Sequence, residues 1–352
     1  MRSTLPWGPV SKKVMASTTW IAPALGTVAI ALAIASPSKA QVDQPIVAPG
    51  KLVDIGGYRI HLWCTGPASP QKPTIVLSAG GGDFATDWSL VQRPLSDSLR
   101  VCSYDRAGYG WSEPGPYPRS FRQEAFELHK LLELAGEPRP YLLVGHSIGA
   151  FVVRVFAESY RDEVSGVVLV GPTNENGKLG YRGQWVLPRT LATGRAIPSP
   201  RALNDDPPRL RTGQDGDACR AQAIRNARIW RPYDQLRAEA QRYRVWALQH
   251  PWCVIGQEDF FAEEMAAFFA QWGANANPLG DVPLVVIMGT LKSPPPPGLS
   301  EADLRSDSLR IDLSRLSRRG RLMADSLSGH HVQLDNPELV VSAIRTVLGL
   351  PR

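Results

Sequence analysis

Gly145-His146-Ser147-Ile148-Gly149 follows an apolar run and precedes another, and a late Gly329-His330-His331 lies a few residues before the last apolar segment. The first is the G-x-S-x-G pattern of a nucleophile elbow, a sharp strand-to-helix turn with the serine at its tip. Side chains two residues either side of that serine would collide, and glycine at both places relieves the contact. A serine hydroxyl is a weak nucleophile until an imidazole takes its proton, so the chemistry also needs a histidine delivered back to the turn. His330, directly after the glycine, is the expected base, with His331 as the reserve.

A third segment completes the set. Ser78-Ala79-Gly80-Gly81-Gly82-Asp83 follows the β-branched run Thr74–Leu77. Acyl transfer places negative charge on a former carbonyl oxygen, and fixed N–H groups aimed at that oxygen are worth roughly 3–4 kcal/mol each. The backbone N–H groups of Gly81 and Ile148 are the expected donors.

The elements that must hold these residues alternate. Lys51–Ile55 and Tyr58–Cys64 flank Gly56-Gly57, a two-residue hairpin signal. Short strands are expected at Thr74–Leu77, Val101–Tyr104, Tyr141–Val144, Ser165–Val170, Val282–Met288 and Arg321–Asp325. Helices are expected from Ser120, a capping residue, to about Gly136, at Ala150–Tyr160, around Glu301–Leu316, and after Asn336-Pro337. Strand–helix alternation predicts an α/β fold with a mostly parallel sheet covered on both faces. The rhythm breaks from about Pro172 to Leu279, which shows turn clusters and helical stretches but no convincing strand. The expected organisation is a core of 46–171 and 281–352 with a mainly helical cap, 172–280, inserted between two core strands.

Residues 1–40 read as a secretory signal. Arg2, Lys12 and Lys13 precede an uncharged stretch from Val14 to Ser38, and Ser38-Lys39-Ala40 offers a small-x-small cleavage site. Cleavage near Ala40 and a secreted or periplasmic location are expected. A retained anchor is the alternative, and only then would a membrane be a partner. The 352-residue chain carries a formal charge of +6, but residues 1–40 hold four basic and no acidic residues, leaving +2. That balance gives no argument for nucleic acid. The four cysteines show neither CxxC nor a neighbouring HExxH, so two disulfides are expected rather than a metal. Cys64 and Cys102 end strands that could be neighbours, leaving Cys219 and Cys253 for the cap.

Tyr104-Asp105-Arg106-Ala107-Gly108-Tyr109-Gly110-Trp111-Ser112, Gly145–Gly149 and Gly329–Pro337 together resemble the α/β-hydrolase superfamily, in its branch of esterases, lipases, epoxide hydrolases and haloalkane dehalogenases. The resemblance spans nearly all of the core, in order, and leaves the cap uncovered. It implies an α/β-hydrolase sheet, a nucleophile–acid–histidine triad and no cofactor. Dehalogenases and epoxide hydrolases resemble one another in placing aspartate where this chain has Ser147, so an acyl-enzyme on a carboxylic ester or related acyl bond is implied instead. An acyltransferase, or a binding module that has lost turnover, is the rival reading. The superfamily's acid follows the strand at Val282–Met288 or the core strand before it. The first place reads Gly289-Thr290-Leu291-Lys292-Ser293, and at the second Gly171 stands where an aspartate is expected. Asp303, Asp307 and Asp312 lie in or near a helix. Glu175, four residues after Gly171, is the expected acid.

Asp105-Arg106 is read as an internal salt bridge supporting the nucleophile loop, with contact to substrate as the alternative. The cap's Trp185, Trp230, Trp246, Trp252 and Trp272 are read as packing on the core, its arginines as a solvated face, with an apolar acyl pocket as the sharper alternative.

Overall fold

The computed structural model describes residues 46–181, 184–205, 207–255, 259–291 and 313–351. Residues 1–40 lie outside that set, as do Asp303, Asp307, Asp312 and most of the helix expected around Glu301–Leu316. Among the described residues, no helix is long and apolar enough to cross a membrane.

The described residues form ten strands, β1 (Lys51–Asp54), β2 (Arg59–Thr65), β3 (Thr74–Ser78), β4 (Val101–Tyr104), β5 (Tyr141–His146), β6 (Val164–Val170), β7 (Leu179–Tyr181), β8 (Gln184–Val186), β9 (Leu284–Gly289) and β10 (Gly320–Asp325). Eight make one sheet in the order β1-β2-β4-β3-β5-β6-β9-β10. The β1–β2 and β2–β4 pairs are antiparallel and the rest parallel. The fold is therefore the mostly parallel α/β sheet that the alternation predicts. The first hairpin closes where expected, with the N–H groups of Gly56 and Gly57 donating to Asp54 Oδ1 at 2.9 and 3.0 Å.

The β-branched runs are strands because both faces of the sheet are covered. Successive side chains point to opposite faces. Val76, Leu143, Val167, Leu169, Val286 and Met288 enter one core, with Leu128, Leu131 and Leu132 of α2 (Phe121–Ala135) and Phe151 and Phe156 of α3 (Gly149–Ser159). Their neighbours Ile75, Leu77, Leu142, Val144, Val168, Val285 and Ile287 enter the other, with Val91 and Leu95 of α1 (Ser89–Leu95) and helix residues Val340 and Ile344. Each such side chain, fully buried, stabilises by roughly 1.5–3 kcal/mol. Ser120 caps α2, its Oγ accepting from the N–H of Gln123 at 3.0 Å.

The segment between β6 and β9 carries α4 (Gly213–Asn226), α5 (Ala238–Gln249) and α6 (Phe261–Ala274). It also holds the antiparallel pair β7–β8, which the sequence reading missed. Strands of three residues are too short to display an alternating pattern. After β10 come α7 (Val332–Asp335) and α8 (Pro337–Val347), the latter capped by Asn336.

Both disulfides form as expected. Cys64 and Cys102 sit directly opposite in the β2–β4 ladder, and Cys219 of α4 joins Cys253. Tryptophans fasten the insertion to the core. Trp246 stacks on Trp111 at 4.8 Å, and Trp252 Nε1 donates to the Ser112 carbonyl at 2.7 Å. This fits the packing reading for these two rings, whereas Trp230 is exposed, and Arg244, buried, departs from the solvated face expected of the insertion's arginines.

Candidate active site

β5 runs straight into the serine. Ser147 holds φ of +51°, which among the described non-glycine residues only Cys253 shares. A non-glycine residue in that region costs on the order of 1–3 kcal/mol and persists where its surroundings over-determine it. Here the Ser147 N–H donates to the Val170 carbonyl at 3.2 Å, and its own carbonyl accepts from Ala150 and Thr173 at 3.1 and 3.2 Å. A Cβ on Gly149 would sit 2.5 Å from the Ser78 carbonyl oxygen and 2.6 Å from that of Ala79. The start of α3 is thus pressed against the end of β3, which only glycine permits.

Ser147 Oγ lies 2.9 Å from His330 Nε2. His330 follows β10, and its exposed ring reaches back over the largely buried serine. Thr173 Oγ1 is 3.3 Å from the same hydroxyl. A Cβ on Gly81 would come 3.1 Å from Ile148 Cδ1, so the two expected oxyanion donors belong to adjoining segments. Gly81 is exposed, leaving its backbone open above the serine.

Arg106 braces that loop. Its guanidinium donates to the carbonyl oxygens of Ala79 and, at 2.7 Å, of Gly80. Asp105 accepts from the Ala85 N–H at 2.8 Å and pairs with His61 Nδ1 at 2.8 Å. Both residues brace the Gly-rich loop rather than the nucleophile loop expected from the sequence, and their ionic partners are His61 for Asp105 and Glu124, at 3.5 Å, for Arg106.

Glu175 is placed elsewhere than the sequence suggested. Its carboxylate accepts from the buried Arg154 guanidinium at 3.0 and 3.1 Å and from Trp272 Nε1 at 2.6 Å. Burial alone would raise its pKa, but the charge and hydrogen bonds of Arg154 outweigh burial and hold it low. It forms a structural ion pair between α3 and the segment that follows β6, with Trp272 of α6 as a further donor, and the acid role expected for it is withdrawn. Gly171 shows why an aspartate does not stand after β6. Its φ is +47°, and a Cβ there would approach the His330 carbonyl oxygen to 2.5 Å.

A second polar cluster, unforeseen from sequence, lies beneath the pair. His146 Nδ1 lies 3.1 Å from Asp83 Oδ2, and His146 Nε2 lies 3.1 Å from the His330 carbonyl oxygen. Tyr233, in a tight turn of the insertion, donates its hydroxyl to Asp83 Oδ1 and accepts from His331 Nε2 at 2.8 Å. Arg244 of α5 pairs with Asp87, lies 3.5 Å from Asp83 Oδ1, and stacks its guanidinium 3.3 Å from the centre of the Tyr233 ring. Burial would push Asp83 up, yet His146 outweighs it and holds Asp83 below the usual carboxylate range. Asp83, His146 and His331 are close enough to share a cation, but both Asp83 oxygens already have donors and Arg244 supplies the neighbouring positive charge. His146 lies within the G-x-S-x-G pattern, His331 beside the expected base and Asp83 at the end of the Gly-rich loop, but no pattern joins them to one another or to Tyr233 and Arg244.

His331, first through burial and then through His146, is pushed down to about 4 from 6.5. A histidine depressed in the folded state stabilises the fold above its unfolded pKa, and that contribution is lost as pH falls through the folded one. Between pH 6.5 and 4, wild type should therefore lose about 3 kcal/mol that a His331→Asn variant does not. Denaturant titrations of both proteins at pH 7 and pH 4 measure it; equal losses would refute it.

Comparison with known proteins agrees with this fold. Residues 73–337 match the family model described as alpha/beta hydrolase fold. A 101-residue stretch is 37% identical to an AB hydrolase superfamily protein of Gibberella zeae, over 28% of this chain and 31% of that protein. Another of 99 residues is 35% identical to the Bacillus subtilis protein YqjL, over 28% of this chain and 39% of that protein. The chain thus spans well under half the length of these curated relatives. Among solved structures, a hydrolase from Pseudomonas aeruginosa PA01 superposes with a TM-score of 0.54 at 18% identity, over 85% of this chain and 98% of that one. The enol-lactonase from Burkholderia xenovorans LB400 does so with a TM-score of 0.52 at 17% identity, over 85% and 100%. At such identities the likeness is one of fold.

Proposed function

We propose, for a chain that belongs to the α/β-hydrolase fold family, that it is an exported serine hydrolase cleaving a small-molecule carboxylic ester or related acyl bond. One observation carries this reading: a serine in a left-handed backbone conformation with its Oγ 2.9 Å from His330 Nε2. That is hydrogen-bond distance for proton transfer from the attacking hydroxyl.

Ser147 Oγ adds to the carbonyl carbon while His330 Nε2 takes its proton. The N–H groups of Gly81 and Ile148 hold the resulting oxyanion. The intermediate collapses to an acyl-Ser147, and the leaving alcohol departs with the proton from His330. Water, deprotonated by the same imidazole, then releases the carboxylic acid and restores the serine. No cofactor enters either step, and no nucleic acid is a partner. The exposed face of His330 gives water its approach. Residues 172–280 act as the cap. Export rests on the composition of residues 1–40 and on the two disulfides, which oxidising compartments sustain.

Fluorophosphonates phosphonylate only activated serines. The purified protein should label stoichiometrically, and Ser147→Ala should label not at all. Release of p-nitrophenol from p-nitrophenyl butyrate, with and without added alcohol, then separates hydrolysis from acyl transfer. Folded wild-type protein that fails to label would sink the enzyme reading in favour of a binding module.

A further inference from the structure

We infer that Tyr233, a residue of the insertion, is a positioning residue for the catalytic pair, and that the insertion is thereby part of the catalytic apparatus. The inference rests on the serine-hydrolase reading above.

The argument is one of connectivity. Three separate loops must keep register for acyl transfer: the Gly-rich loop with Gly81, the elbow with Ser147, and the loop with His330. Each offers one polar side chain or carbonyl to the same buried cluster. Asp83 stands two residues after Gly81, His146 immediately before Ser147, and His331 immediately after His330. His146 joins the first two loops through Asp83 Oδ2 and reaches the third through the His330 carbonyl. Tyr233 joins the first and third at hydrogen-bond distance, its hydroxyl placed between Asp83 Oδ1 and His331 Nε2, which otherwise face each other only at 3.9 Å, from His331 Nε2 to Asp83 Oδ2. Tyr233 is 4% exposed, so its hydroxyl is largely withdrawn from bulk solvent.

The alternative is that Tyr233 merely fills space. It shares a small satellite core with Leu236, Ala240 and Leu334, so its ring does contribute packing. But a space-filling ring needs no hydroxyl, and a buried hydroxyl without partners is costly. Here both of its hydrogen-bonding roles are used, as donor and as acceptor. Arg244 locks the ring from its face and, through Asp87 and Asp83, grips the same Gly-rich loop. Both clamping side chains come from the insertion, and what they clamp comes from the core. Removing the hydroxyl leaves Asp83 and His331 each lacking a partner, and the Gly81 and His330 loops free to drift apart. A misplacement of about 1 Å can cost ~100-fold in rate.

The test compares Tyr233→Phe with Leu236→Ala, which disturbs the same satellite core and leaves the hydrogen bonds intact. On p-nitrophenyl butyrate, Tyr233→Phe should lower kcat about 10- to 100-fold with KM changed less than about twofold. Inhibition by a trifluoromethyl ketone, which forms a tetrahedral adduct with the serine, should weaken by a similar factor. Leu236→Ala should stay within about threefold of wild type in kcat. Amide hydrogen exchange, which needs no turnover, should quicken at residues 80–83 and 329–332 in Tyr233→Phe and not in Leu236→Ala. Wild-type kcat in Tyr233→Phe, or equal losses in both variants, overturns the inference. A wild type that neither labels nor turns over sinks the hydrolase reading instead, and the exchange comparison still decides whether Tyr233 ties the loops.

Discussion

Replacing His330 by alanine is expected to lower kcat on p-nitrophenyl butyrate by roughly 10⁴- to 10⁶-fold, close to the floor reached by Ser147→Ala. The geometry gives the reason. With no acceptor at 2.9 Å, the serine hydroxyl keeps its proton, and a neutral alcohol hardly attacks an ester. Serine and imidazole act as one device, so the double variant should be no slower than either single one. What remains should come from the N–H groups of Gly81 and Ile148, which neither change removes. KM should move little, because neither group grips the ground state strongly. Steady-state kinetics on the three variants, with fluorophosphonate labelling in parallel, measures this. An additive double variant, or a His330→Ala protein that still labels at the wild-type rate, would show that another base serves Ser147.

Glu175→Ala is expected to act on stability instead. The Arg154 side chain is 1% exposed and that of Glu175 fully buried. Removing one partner strands a charge in the interior, a loss of about 3–5 kcal/mol. The Arg154 guanidinium also lies 4.5 Å above the Phe268 ring of α6, so the damage falls where the insertion meets α3. Thermal denaturation should shift down by roughly 10 °C. Glu175→Gln, which keeps the shape and can still accept from Arg154, should lose less. In both folded variants kcat should remain within about threefold of wild type. The opposite pattern, intact stability with a ~10⁴-fold fall in kcat for Glu175→Gln, is what a triad acid would give.

What the sequence revealed and what it hid divide by distance along the chain. The elbow, the late histidine and the Gly-rich loop are local patterns, each set by a turn adjoining a strand. The eight-stranded sheet followed because β3, β5, β6 and β9 are short β-branched runs buried on both faces. Glu175 misled because proximity to β6 in sequence was read as proximity to His330. Its actual partner, Arg154, is a helix residue whose burial no pattern announces. Asp83, Tyr233 and Arg244 escaped for the same reason. Tyr233 and Asp83 stand 150 residues apart, and one hydrogen bond between such positions leaves no periodicity behind. The β7–β8 pair was lost to brevity alone.

The left-handed backbone at Ser147 carries a consequence for durability. The conformation opposes any residue with a side chain, and glycine would adopt it freely. Selection for resistance to heat alone would therefore favour glycine at this position. That the chain holds a serine there, with glycines on both flanks making room for it, is what the proposed hydrolase requires: a position where robustness is surrendered to reactivity.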